Sequence, residues 1–150
     1  MLKTGDKAPD FELLDQNGKL VKLSDFKGQK ILLYFYPRAS TPGCTTQACS
    51  VRDAHAELQN KNVASLAISP DPVPRLKKFA DKYELTFPLL SDLEHKTAEA
   101  YSVWDKKSLY GKLFFGIIRS SFLIDENGVI VQTWYKVSPK DTVPNAMNTL

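Results

Sequence analysis

No apolar run in this chain approaches the ~20 residues that a membrane-spanning helix needs, so a span of that kind is excluded. Blocks of like charge are missing as well. Lysine and arginine are scattered among aspartate and glutamate, and the formal charge is only +3. That balance argues against nucleic acid or an anionic membrane surface as the main partner. The opening Met1-Leu2-Lys3-Thr4-Gly5-Asp6 lacks the apolar core of a signal peptide and the Arg/Ser bias of a transit peptide, so a cytoplasmic protein is expected. There are no internal repeats, low-complexity tracts or linkers. A length of 150 residues suits one domain with a real core and is short for two, so one domain over 1–150 is expected. Cysteine is scarce. In a reducing compartment, two copies fit catalysis, redox sensing or metal binding better than a structural staple.

What is present reads as alternating strands and helices. Phe11–Leu14 and Leu20–Leu23 flank Asp15-Gln16-Asn17-Gly18, and Asn-Gly is the strongest short hairpin signal. Ile31–Tyr36 is a continuous apolar and aromatic run, as in a central strand buried on both faces. The spacing of Ala48, Val51, Arg52, His55 and Leu58 predicts a helix over Thr45–Gln59. Val63–Ser69 reads as a second buried strand, Pro74–Tyr83 as a helix and Phe87–Leu90 as a short strand. Leu93–Tyr101 reads as a helix that Ser91 or Asp92 could cap. Ser121–Ile124 and Val129–Tyr135 form a closing hairpin around Asp125-Glu126-Asn127-Gly128. A terminal helix from Pro144 to Leu150 is marginal alone, so it must dock on the body or continue. This order predicts an α/β sandwich, a central mixed sheet flanked by helices with an N-terminal β-hairpin. Ser102–Arg119 has no clear period and is expected to be a long loop, functional or mobile.

The chemistry concentrates in Tyr36-Pro37-Arg38-Ala39-Ser40-Thr41-Pro42-Gly43-Cys44-Thr45-Thr46-Gln47-Ala48-Cys49. A buried strand ends, the chain turns at Pro42-Gly43, and a cysteine stands at the start of a helix. Unpaired N–H groups and the helix dipole favour an anion there. A cysteine so placed is more thiolate, and more reactive, than a free one. The competing reading is a small buried hydrophobe, a common fate of cysteine.

The spacing of Cys44 and Cys49 carries a further constraint. Five helical residues rise ~7.5 Å and turn ~140° past a full circle, which puts the Cα atoms ~8.6 Å apart with diverging side chains. A disulfide needs Cα atoms within ~7 Å. The two thiols cannot bond while the helix is intact, and if they pair, its first turns must unravel. Metal binding is the alternative use of two cysteines. Structural zinc takes four ligands, and only His55 and His95 could join, neither at the usual spacing. A surface or half-buried histidine is the commoner reading of both.

The pattern Pro37-x-x-x-Thr41-x-x-Cys44 resembles the peroxiredoxin active-site signature. Thr41-Pro42-Gly43-Cys44-Thr45 with Cys49 is similar to the bacterioferritin comigratory protein, or peroxiredoxin Q, subfamily. The likeness extends to Ala8-Pro9-Asp10-Phe11, Ser69-Pro70-Asp71, Phe87-Pro88-Leu89-Leu90-Ser91-Asp92 and Arg119-Ser120-Ser121-Phe122-Leu123-Ile124-Asp125, so it covers nearly the whole chain.

The resemblance implies a thioredoxin-like fold and a thiol peroxidase acting on hydrogen peroxide and alkyl hydroperoxides. Cys44 falls on the peroxidatic cysteine and Cys49 on the resolving one. Thr41 falls on the hydroxyl that hydrogen-bonds peroxide and thiolate, Pro37 on the proline that shields the thiolate, and Arg119 on the arginine that holds the pocket's charge. Cys44 would pass through a sulfenic acid to an intramolecular disulfide, reduced by thioredoxin or a similar dithiol protein, with no metal, haem or flavin required. No C-terminal arm carries a second-subunit cysteine, so a monomer is expected. Gln47 is a departure, because many relatives have Glu there, and any role of that acid is in doubt. Two rivals stay open: a thioredoxin-type disulfide oxidoreductase, which normally uses Cys-x-x-Cys, and a redox-regulated binding protein.

Overall fold

The computed structural model describes residues 1–150. It begins with two short antiparallel strands, Glu12–Leu14 (β1) and Leu20–Lys22 (β2). Their turn forms because the Asp15 carboxylate accepts the N–H groups of Asn17 and Lys19 at 2.8 and 3.0 Å, while Gly18 supplies φ +76°. Leu23 is not a strand residue. It starts a 3₁₀ turn, Leu23–Phe26, that buries its side chain.

Lys30–Phe35 (β3) follows, then Pro42–Asp53 (α1), His55–Asn60 (α2), Val63–Ser69 (β4), Val73–Tyr83 (α3), Leu89–Ser91 (β5) and Lys96–Ala100 (α4). Trp104–Leu109 (β6) and Lys112–Ile117 (β7) pair only with each other. Ser120–Ile124 (β8), Ile130–Trp134 (β9) and Thr142–Thr149 (α5) complete the chain. The main sheet has the order β2-β1-β5-β4-β3-β8-β9. β3, β4 and β5 run parallel, and the outer strands are antiparallel. This is the mixed α/β sheet that the sequence predicts.

The two-residue period of β3 divides the core. Ile31, Leu33 and Phe35 join Leu66, Ile68, Tyr101 and Phe122 on one face. Tyr34 and Tyr36 join Cys44, Ala48 and Val51 of α1 and Leu76 and Phe79 of α3 on the other. A strand buried on both sides must be apolar throughout, which is why Ile31–Tyr36 is one continuous run. Burying a side chain such as Leu33 stabilises the fold by roughly 1.5–3 kcal/mol.

Several boundaries depart from the sequence reading. The helix expected over Thr45–Gln59 is two helices, broken at Ala54, whose N–H faces the carbonyls of both Ser50 and Arg52. No Pro or Gly marks the break. Tertiary contacts flank it: Arg52 donates to the Tyr83 carbonyl at 2.7 Å, and Leu58 is fully buried in a separate cluster with Leu32, Val63 and Ala146. β5 starts at Leu89 because Pro88 has no N–H. The Gln16 side chain substitutes for a neighbouring strand, donating to the Phe87 carbonyl and accepting from Leu89 N–H. α4 starts at Lys96 rather than near Leu93, with Asp92 accepting the N–H groups of Thr97 and Ala98.

The largest difference is Ser102–Arg119. The expected loop is a hairpin, turned by Tyr110 and Gly111 at φ +51° and +77°. Its tip exposes Leu109, Tyr110 and Leu113. α5 docks on the body through Ala146, which resolves how so short a helix persists.

Candidate active site

The loop from β3 to α1 is fixed from below by a buried carboxylate. Asp71 accepts the Ala39 N–H at 2.7 Å and the Ser69 hydroxyl at 2.8 Å, and its own carbonyl accepts from the Ser91 hydroxyl. Pro37, half-buried, leads the chain out of the sheet. Thr41 then takes extended angles as the N-cap, and Pro42 occupies the first helical position, where its missing N–H costs nothing. The first helical bond runs from Thr45 N–H to the Thr41 carbonyl at 2.9 Å. Cys44 is therefore the third residue of α1. Helix geometry leaves the N–H groups of Gly43 and Cys44 without an acceptor inside the helix.

Cys44 is only 1% exposed, with its thiol among apolar neighbours on one side and a cation on the other. Arg119, between β7 and β8, aims Nη2 at Cys44 Sγ at 3.4 Å and donates from Nη1 to Gln47 Oε1 at 2.6 Å. Gln47 is fully buried and donates from Nε2 to Thr142 Oγ1 at 2.8 Å. The sequence left Gln47 in doubt because it carries no charge. Its amide instead orients Arg119 through a neutral oxygen, which leaves the guanidinium charge unopposed for the sulfur.

Thr41 sits beside this centre, but its hydroxyl donates to the Arg38 carbonyl at 2.8 Å. Cys49 is half-buried further along α1, and both cysteines are free thiols. Both lie on the unbroken part of the helix, so the spacing conflict derived from the sequence applies.

Three features escaped sequence reasoning. Gly43 lies under Arg119: a Cβ there would stand 3.2 Å from Nη2 and 3.4 Å from the Pro139 ring. Lys107 is held over the Ile117 carbonyl at 2.8 Å; burial lowers its pKa, the Arg119 charge lowers it further, and Cys44 opposes both. Thr142 contacts Gln47 from α5. Only the Pro-Gly-Cys string hinted at Gly43, and nothing local marks the others. Behind the thiol, burial pushes the Tyr34 and Tyr36 hydroxyls far above their ordinary acidity range, so both stay neutral. His95 stacks on Trp104 at 3.8 Å and pairs with Glu99.

A cation-facing thiol at a helix start, beyond a central parallel strand, defines a thiol redox protein with a thioredoxin-like fold. The AhpC/TSA family model matches residues 4–133. Peroxiredoxin Bcp of Bacillus subtilis is 48% identical over 149 residues, 99% of this chain and 95% of the relative. The structure of a cysteine-to-serine variant of Xylella fastidiosa PrxQ superposes with a TM-score of 0.92 at 30% identity, covering 99% of this chain and 94% of that one. A Xanthomonas campestris bacterioferritin comigratory protein, described for its alkyl peroxide reduction activity, superposes with a TM-score of 0.87 at 32% identity, over 92% and 88% of the two chains. The chain belongs to the AhpC/TSA family, as a peroxiredoxin of the Bcp and PrxQ group, and is by class a thiol peroxidase.

Proposed function

We propose that this chain reduces hydrogen peroxide and alkyl hydroperoxides with Cys44 as peroxidatic and Cys49 as resolving cysteine. The observation that carries the reading is the Arg119 guanidinium 3.4 Å from the Cys44 sulfur at a helix N-terminus. The Cys44 thiolate attacks one peroxide oxygen along the O–O axis. The S–O bond forms as the O–O bond breaks, the sulfur loses two electrons, and the departing oxygen takes a proton to leave as water or an alcohol. Arg119 and the N–H groups of Gly43 and Cys44 stabilise charge on the separating oxygens. Thr41 has committed its proton to the Arg38 carbonyl, so its oxygen is left to accept a hydrogen bond from the peroxide O–H. Pro37 limits water at the thiolate.

The resulting sulfenic acid condenses with the Cys49 thiol, forming the disulfide and releasing water. A dithiol protein such as thioredoxin restores both thiols by exchange. Residues 1–150 are read as one domain acting as a monomer, since both cysteines of the cycle lie on one helix. No helix is long and apolar enough to cross a membrane, and the cytoplasm supplies the dithiol reductant this cycle needs.

The test is peroxide consumption coupled to a thioredoxin system. Wild type should turn over, and Cys44→Ser should be inactive. Cys49→Ser should be oxidised once and then stall. Turnover by Cys44→Ser would remove the peroxidatic assignment.

Gly43→Ala supplies an independent probe of the arginine. On an open helix this change stabilises by up to ~1 kcal/mol. Here the methyl group presses on Nη2 at 3.2 Å. The expected result is roughly tenfold slower oxidation of Cys44 with a melting temperature within a few degrees of wild type. Stopped-flow oxidation beside a thermal melt reads both, and an unchanged rate would mean that the arginine adjusts freely.

A further inference from the structure

Arg119 reaches Cys44 from one side of a hydrogen-bonded chain that does not end at Gln47. We propose that Thr142, the first residue of α5, is a positioning residue for the attack on peroxide, acting through Gln47 and Arg119. The proposal rests on the peroxidase reading and extends its site to the C-terminal helix.

A carboxamide is asymmetric: it accepts at one end and donates at the other. Arg119 offers only donors, so Gln47 must present Oε1 to it, as it does at 2.6 Å. The amide nitrogen then points the other way, into a region where both Gln47 and its neighbour Thr142 are 0% exposed. The site is closed to bulk solvent, and a buried amide N–H needs an acceptor. Thr142 Oγ1 supplies that acceptor at 2.8 Å. If the acceptor is removed, the amide has two escapes. Flipping would turn its NH₂ toward the guanidinium, donor against donor. Shifting would carry Oε1 away from Nη1 and swing Nη2 off the sulfur. Either outcome degrades the aim of Arg119.

A second observation supports the same coupling. The Pro139 ring, just before α5, closes on Gly43 together with Arg119. The C-terminal segment thus touches the helix start at the backbone and the arginine through an amide. A hydroxyl also suits either occupant of position 47. It accepts from a glutamine and would donate to a glutamate, so Thr142 serves the neutral amide here without being specific to it.

The experiment measures the second-order rate of Cys44 oxidation by hydrogen peroxide, in stopped flow, for four variants of the full chain. Thr142→Val keeps the volume and removes the acceptor. It should slow oxidation on the order of tenfold, the scale set by one unpartnered buried donor. Thr142→Ser restores the hydroxyl and should recover the rate to within about twofold. Arg119→Ala and Arg119→Ala/Thr142→Val complete a double-mutant cycle. If Thr142 acts through Arg119, its valine variant should have no further effect once the guanidinium is gone.

Slowing by the same factor in both backgrounds, or an unchanged rate in Thr142→Val, would overturn the proposal. If Thr142→Val does not fold, Thr142→Ala in the same cycle decides it by the same criterion. Failure of wild-type Cys44 to react with peroxide would instead sink the peroxidase reading, so the two failures are separate.

Discussion

Arg119→Ala is expected to slow oxidation of Cys44 by peroxide on the order of 10²- to 10³-fold, the range for losing one oxyanion-hole donor. The geometry concentrates that effect on one side chain. Nη2 is 3.4 Å from the sulfur, and the neutral Gln47 oxygen does not offset the charge. Stability should suffer less. Arg119 is only partly buried, but its removal leaves the buried Gln47 oxygen without its donor, which costs about 1–3 kcal/mol. A denaturant melt beside stopped-flow oxidation separates the two quantities. A rate equal to wild type would show that the helix N-terminus alone supports the chemistry. A collapse of the fold with the rate would show that the arginine is structural first. Arg119→Lys should recover only part of the rate, because an ammonium lacks the fork that serves Cys44 and Gln47 together.

Oxidation to the Cys44–Cys49 disulfide should melt the start of α1. The helix is unbroken across both positions, and its geometry holds the Cα atoms ~8.6 Å apart, beyond the ~7 Å limit for the bond. Amide exchange from Thr45 to Ser50 should accelerate by at least ~100-fold, as a segment protected by a few kcal/mol approaches an open chain. Leu33, fully buried at the centre of the sheet, should stay protected. Gln47 lies inside the melted stretch, so its bond to Thr142 is lost and the first turn of α5 should loosen with it. Cys49→Ser treated with peroxide should stop at the sulfenic acid, keep the helix, and become prone to sulfinic oxidation. Hydrogen exchange read by mass spectrometry on the reduced, disulfide and Cys49→Ser forms makes the comparison. A disulfide formed with full protection over Thr45–Ser50 would end the local-unfolding account.

The legible parts of this protein are those whose signals are local. The continuous apolar run Ile31–Tyr36 announces a strand buried on both sides, and Pro42-Gly43-Cys44 announces a cysteine at a helix start. The hairpin of β6 and β7 was not legible. Lys106, Lys107 and Ser108 are weak strand formers, and the turn is Tyr110-Gly111 rather than Asn-Gly. Its pairing is set by backbone geometry that no alternation of side chains advertises. The break at Ala54 carries no local signal, and the partners that flank it, at Tyr83 and Ala146, are distant in sequence. Arg119 could be assigned only through family resemblance. By itself, an arginine before a strand reads as surface charge. The Gln47–Thr142 bond joins residues 95 apart, and a buried amide does not name its acceptor in advance.

Cys44 and Arg119 are 75 positions apart. At ~5–20 residues per second, a ribosome takes roughly 4–15 s to make that interval. The nascent chain therefore carries its thiol well before the cation that faces it has been synthesised. β8 must then pair with β3 before the guanidinium can reach the sulfur. With Arg119 in the role proposed, the polypeptide should be a slow peroxide target while it is being made, full reactivity arriving only with a completed sheet. Cys49 follows Cys44 by five positions, so both thiols are made together and the cation alone arrives late.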